Sequence, residues 1–186
     1  MARDDAASTA NRARVDATMV CVDFDLTVLA RHSFAERVTV ERVERLDAAD
    51  VEREFVDVQS FRRLLSYATA RGMDVKIASF GEYEVIQAYV DRALGRGAMT
   101  RADISTPSRV GAKDGCAVEG GKNRQIEELL REKHGEEAWK KFRDTVVLFD
   151  DDERNVEAAI RAGFRAAHTP DGLTRAAIQS VFGDFD

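Results

Sequence analysis

Asp23, Asp25 and Thr27 alternate with apolar residues in the string Val22-Asp23-Phe24-Asp25-Leu26-Thr27, directly after the apolar run Met19-Val20-Cys21-Val22. Two carboxylates two residues apart on a tight turn can divide the work of phosphoryl transfer. One attacks phosphorus and carries the group as an acyl phosphate, which splits a hard step into two easier ones. The other protonates the departing oxygen and later takes a proton from water. The plain alternative is a pair of solvated loop acids around a buried Phe24. A second acidic string, Asp150-Asp151-Asp152-Glu153, begins where the apolar run Val146-Val147-Leu148-Phe149 ends. Carboxylates packed this closely raise one another's pKa unless a cation offsets them, and magnesium favours one or two carboxylates together with phosphate and water. The same acids suit the first turn of a helix, so we assign Asp152 to the helix cap and Asp151 to a metal. Ser79 stands just before Gly81, where its hydroxyl and the nearby N–H groups can hold phosphate oxygens or merely cap the next helix. Lys122 follows Gly120-Gly121 at a helix start, from which an ammonium reaches back over a strand edge. Lys113 is its rival, but it lies in a glycine-rich stretch and starts no helix.

Short apolar runs that break into polar residues read as buried strands ending at their loops. Met19–Val22, Val75–Ala78 and Val146–Phe149 fit that pattern, and Arg165–His168 is a weaker fourth. Helical stripes fall between them. Val58, Phe61, Leu64, Leu65 and Ala68 end at Arg71-Gly72; Val85, Ile86, Tyr89, Val90, Ala93 and Leu94 are closed by Gly95. Ile126, Leu129 and Leu130 follow Lys122, with Trp139 and Phe142 extending the apolar surface. Val156, Ala159 and Ile160 follow the Asp152 cap and stop at Gly163, and Leu173 to Phe182 forms a last helix. This alternation predicts an α/β, Rossmann-like fold with a mainly parallel central sheet flanked by helices. Right-handed crossovers bring the carboxyl ends of such strands to one edge, where ligands bind. Asp23, Ser79 and Asp150/Asp151 all fall there. Residues 1–17 read as a disordered tail and 18–186 as one domain, with small irregular insertions at about 28–56 and 95–121.

The composition bounds the function classes. The chain has 186 residues, 44% hydrophobic and 33% charged, with 28 Lys+Arg against 34 Asp+Glu. A net charge of -6 counts against nucleic acid and anionic membranes as partners. No apolar run nears the roughly 18 residues of a membrane span. The amino terminus lacks the apolar core of a signal peptide, and Asp4 and Asp5 disfavour a transit peptide. Cys21 and Cys116 allow at most one disulfide, which suits a reduced compartment. We therefore expect a cytoplasmic protein. Cys21 reads as a small buried hydrophobe, His32 follows the first motif closely but reads as bland sooner than as a substrate contact, and His134 and His168 show no metal-ligand spacing.

The ordered set VCVDFDLTV, KIASFG, GGKNRQIEELL and VVLFDDDERNVEAAIRAG resembles the four motifs of the haloacid dehalogenase (HAD) superfamily of phosphotransferases, over roughly residues 19–168. The resemblance implies Asp23 as nucleophile and Asp25 as general acid/base. It implies phosphate and substrate binding by Ser79 and Lys122, with Phe24, Asp25 and Phe80 beside them, and a magnesium ion held by Asp23, the Asp25 carbonyl and Asp151. Asp150 would be a ligand or would support one. An acid at Asp25 is what hydrolysis of a phosphate ester needs; relatives that cleave carbon–halogen or carbon–phosphorus bonds generally lack it. The spacings Asp25 to Ser79 and Ser79 to Lys122, 54 and 43 positions, leave no room for a large cap domain. The chain thus looks like the capless subclass, such as the magnesium-dependent (MDP-type) phosphatases, acting on a phosphorylated small molecule or phosphoprotein. Alternatives are a phosphotransferase or mutase with the same intermediate, a non-catalytic binding protein of this fold, and a phospho-accepting receiver domain. Motif order disfavours the receiver, since here the lysine precedes the last acidic strand end.

Overall fold

A computed structural model describes residues 16–185. Most of the expected N-terminal tail, residues 1–15, lies outside the described residues. The chain runs β1 (Met19–Val22), α1 (Val40–Arg45), α2 (Ala48–Glu54), α3 (Val58–Ala70), β2 (Asp74–Ala78), α4 (Tyr83–Leu94), β3 (Ile104–Ser105), α5 (Gly121–His134), β4 (Val146–Asp150), α6 (Glu153–Arg161), β5 (Arg165–His168) and α7 (Arg175–Phe182). Its five strands form one sheet in the order β3-β2-β1-β4-β5, and every pairing is parallel. This is the expected α/β architecture, with helices on both faces and no large cap.

The two central strands explain the apolar runs. Parallel sheets are covered on both faces, so their strands read as continuous hydrophobic segments. Every residue of β1 and β4 is buried. Side chains alternate between faces: Val20, Val22, Val147 and Phe149 pack with α3, α4 and α7, while Met19, Cys21, Val146 and Leu148 pack with α5 and α6. Burial pushes the Cys21 thiol up to about 12, so this cysteine behaves as a core hydrophobe. The edge strands differ. β3 has two residues, and β5 exposes Arg165 and His168 at its ends with Ala166 and Ala167 half-buried between them, which blunts an otherwise exposed edge.

The sheet order reverses direction between β1 and β4. From β1 the chain crosses to β2 and then β3 on one side, and returns to β4 on the other. The crevice outside such a switch point is where ligands bind in open α/β sheets. Residues 28–56 and 95–121 are more regular than the sequence suggested. The first holds α1 and α2, whose caps Thr39 and Asp47 accept the N–H groups of Arg42 (3.3 Å) and Asp50 (2.6 Å). Each of these helices buries one residue, Val43 or Val51, too few to show a stripe. The second holds β3 and a 3-10 turn at Pro107–Val110. Trp139–Thr145 is also 3-10, not an extension of α5. Among the described residues no helix is long and apolar enough to cross a membrane.

Candidate active site

Register places the acids. Val22 pairs with Phe149 across β1 and β4, and the Asp23 N–H continues that ladder to the Phe149 carbonyl at 2.9 Å. Asp23 therefore leaves the sheet beside Asp150. The chain then turns sharply: the N–H groups of Val28 and Leu29 both bond the Phe24 carbonyl, at 3.0 and 2.8 Å, and Leu26 takes a left-handed φ of 61°. Phe24 points away from the cavity into the core, fully buried and 6.1 Å from the Tyr89 ring. The expected substrate contact by the Phe24 side chain is therefore not made; its backbone N–H instead bonds the Asp23 carboxyl.

Asp23, Asp150 and Asp151 present carboxylate oxygens within 4.8 Å of one another. Lys122, in the first turn of α5, is 2% exposed; its ammonium bonds Asp23 Oδ1 directly and lies 3.3 Å from Asp150 Oδ2. Burial alone would depress that ammonium, but the two carboxylates outweigh it and hold its pKa above the usual lysine value. Burial also drives the Asp23 carboxyl upward, with repulsion from Asp150 adding to the shift and Lys122 opposing it. The ammonium is shared by Asp23 and Asp150, and Asp151 has no ion-pair partner among the described residues, so its charge is left uncompensated. An all-oxygen donor set with uncompensated charge fits a hard divalent cation.

Asp150 and Asp151 play unlike parts. Asp150 is wholly buried, and its oxygens accept the Asp152 N–H at 2.9 Å and the Asn155 amide at 3.0 and 3.2 Å. Asp151 lines the cavity. Thr27 fixes it: the Thr27 hydroxyl donates to Asp151 Oδ1 at 3.2 Å and accepts the Asp151 N–H at 3.1 Å. Asp152 caps α6, accepting the Arg154 N–H at 2.9 Å.

Asp25 is held by residues after the turn. The Ser33 hydroxyl donates to its Oδ1 at 2.6 Å, and His32 Nδ1 lies 3.1 Å from Oδ2. On the opposite wall Ser79 is 1% exposed, and its hydroxyl accepts the Gly81 N–H at 3.0 Å instead of capping α4. The Phe80 ring faces Lys122, whose ammonium is 5.0 Å from the ring centroid. Gln125, one turn beyond Lys122, donates to the carbonyls of Ser79 (2.8 Å) and Ser105 (3.0 Å), clamping α5 to the ends of β2 and β3.

Asp23, Asp25, Ser79, Phe80, Lys122 and Asp151 thus line one cavity of 380 Å3. Asp150 stands directly behind it. Lys113 is exposed and outside it. Ser33, Gln125 and Asn155 were missed by sequence reasoning. Gln125 lies three residues after Lys122 and Asn155 three after the Asp152 cap, spacings that put each on its predecessor's helix face; nothing marks Ser33. Compared with protein-family models and with curated proteins, the chain matches none. What the fold and the site define is a class: a parallel α/β protein with a carboxylate cluster, able to hold a metal, at the switch point of its sheet.

Proposed function

We propose that this protein is a magnesium-dependent phosphomonoester hydrolase of the capless haloacid dehalogenase type, acting in the cytoplasm. The observation that carries the reading is the meeting of Asp23, Asp151 and buried Lys122 in one cavity with Ser79 and a separately held Asp25. These residues come from four places in the chain, brought together at one strand edge.

In this reading Asp23 attacks phosphorus, and Lys122 neutralises charge on the nucleophile and the transferring group. Phosphate oxygens are held by Lys122, the Ser79 hydroxyl and backbone N–H groups of the Asp23–Asp25 turn. Asp25, held by Ser33 at 2.6 Å, gives its proton to the leaving oxygen. It then takes one from the water that releases phosphate from Asp23. Asp23, Asp151 and the Asp25 carbonyl would hold the magnesium ion, with Asp150 supporting them; when bound, it supplies charge neutralisation and alignment of the phosphoryl oxygens. Catalysis is then mostly positioning and electrostatics, as phosphoryl transfer demands.

Phosphate release from phenyl phosphate tests this, with magnesium or with a chelator, in wild type and Asp23→Asn. The expected result is magnesium-dependent turnover that falls by at least roughly a thousandfold in the variant. Equal rates in the two proteins would reject the aspartyl-phosphate mechanism.

A further inference from the structure

A second cavity, of 460 Å3, adjoins the first and is lined by groups the proposed chemistry does not use, Arg37, Thr39, Glu82 and Val85 among them. Phe34 lines both cavities. Ser33 lines the second while its hydroxyl holds the Asp25 carboxylate. A leaving oxygen protonated by Asp25 therefore departs beside this space. We propose that it receives the leaving group of a small phosphate monoester carrying both an anionic and a cationic group, as a free amino acid does. The proposal rests on the phosphatase reading and narrows its substrate class.

The charges on the walls carry the inference. Arg37 and Glu82 both line the cavity and are exposed, and neither has an ion-pair partner among the described residues. Neighbouring arginines differ: Arg31 pairs with Glu36 at 3.2 Å, and Arg42 with Glu54 at 2.5 Å. A cavity that keeps a guanidinium and a carboxylate apart presents one to an anion and the other to a cation. Val38 and Val85, both buried, supply an apolar floor for the connecting carbons. The volume is that of a small-molecule site.

The loop that carries Arg37 is built to hold it. Glu36, Arg37 and Val38 donate their N–H groups to the carbonyls of His32, Phe34 and Ser33, at 3.0, 3.1 and 2.9 Å. Arg37 sits at φ 53°, a left-handed conformation that costs any residue with a Cβ. Asparagine or glycine would adopt that turn more easily, so the turn alone does not account for an arginine. Phe34 is seated too. Its ring lies over Gly115, where any Cβ would collide with it, and Gly115 at φ 81° donates its N–H to the Phe80 carbonyl at 2.8 Å. Phe34 is nevertheless 43% exposed, a seated apolar wall common to both cavities.

The test measures kcat/KM with magnesium for phenyl phosphate, O-phosphoserine and O-phosphotyrosine, each amino acid also in its N-acetyl and carboxamide forms. Wild type is expected to favour a free amino acid roughly tenfold over either blocked form, the scale of one charge-assisted contact at a partly exposed site. Arg37→Gln should erase the discrimination against the carboxamide, with Arg37→Lys restoring part of it. Glu82→Gln should erase the discrimination against the N-acetyl form. Turnover of phenyl phosphate with free and blocked amino acids treated alike would overturn this substrate class and leave the phosphatase reading standing; so would a preference for a doubly blocked phosphopeptide. No turnover of any ester would overturn the phosphatase reading and this assignment with it.

Discussion

Asp25 can serve as acid and then as base only if its carboxyl keeps one orientation through both steps. The turn after Asp23 leaves that carboxyl buried in the cavity wall, where Ser33 donates to one oxygen and His32 lies against the other. Removing the Ser33 hydroxyl frees the side chain without touching the phosphate-binding groups. Ser33→Ala is therefore expected to lower kcat about tenfold and leave KM nearly unchanged, since general acid–base assistance contributes roughly a hundredfold or more when intact. The loss should depend on the leaving group. Alkyl phosphates, whose alkoxides need a proton to depart, should lose more than nitrophenyl phosphate, whose phenoxide does not. Steady-state rates on the two esters check this. Equal losses on both would mean that Ser33 supports the fold and not the acid.

At the scale of elements, Glu54 is one of the points that fasten the insertion of residues 28–56 to the body of the protein, beside the Glu52–Arg62 pair and the Arg92 bond to the Leu46 carbonyl. Glu54, at the end of α2, accepts Arg42 Nη2 at 2.5 Å and Nη1 at 3.1 Å, bonds the Tyr89 hydroxyl on α4, and lies 3.5 Å from Arg31 Nη2. Burial works against its charge, but Arg42, Tyr89 and Arg31 outweigh it and hold the carboxyl below the usual glutamate range. A depressed carboxyl pKa contributes stability above the unfolded-state value, and that contribution is lost as pH falls through the folded-state value. Glu54→Gln should thus cost about 2 kcal/mol at pH 7, or about 4–8 °C in Tm. Thermal melts of the two proteins should differ fully at pH 7 and converge towards pH 3; a gap independent of pH would sink the account. This insertion is also where the sequence was least legible. A helix of six or seven residues that buries only Val43 or Val51 has no periodicity to read, and the Glu54 cluster joins residues 12 to 35 positions apart. By contrast β1 and β4 were plain, because a strand buried on both faces must be apolar throughout, while β2 was legible from Val75, Ile77 and Ala78 in spite of half-buried Lys76. The site acids were legible for the same reason, as the first polar residues after those runs. Ser33 was not, because its partner is set by a turn and not by a pattern.

For the whole molecule, the surplus of acid over base is partly concentrated at one place, and that links metal to stability. Asp23, Asp150 and Asp151 face one another at the sheet edge, and among the described residues Lys122 is the one cation paired with the cluster, at Asp23 and Asp150. Folding brings these carboxylates together, so their repulsion is borne by the folded state alone. A divalent cation that binds them binds the folded state and raises its stability by mass action. At a hundredfold excess over its dissociation constant this is about 2.7 kcal/mol, or about 5–11 °C for a chain of this size. Asp151→Asn separates the two contributions, because the amide keeps the Thr27 contact geometry while losing the charge. In chelator the variant should melt at or above wild type, since one repelling charge is gone. In magnesium it should gain much less and fall below wild type. The crossing of the two melting curves on adding the ion is the signature, and it requires no substrate. A variant that melts below wild type in chelator and gains equally with magnesium would show that Asp151 neither repels nor ligates, and the carboxylate cluster would then be structural.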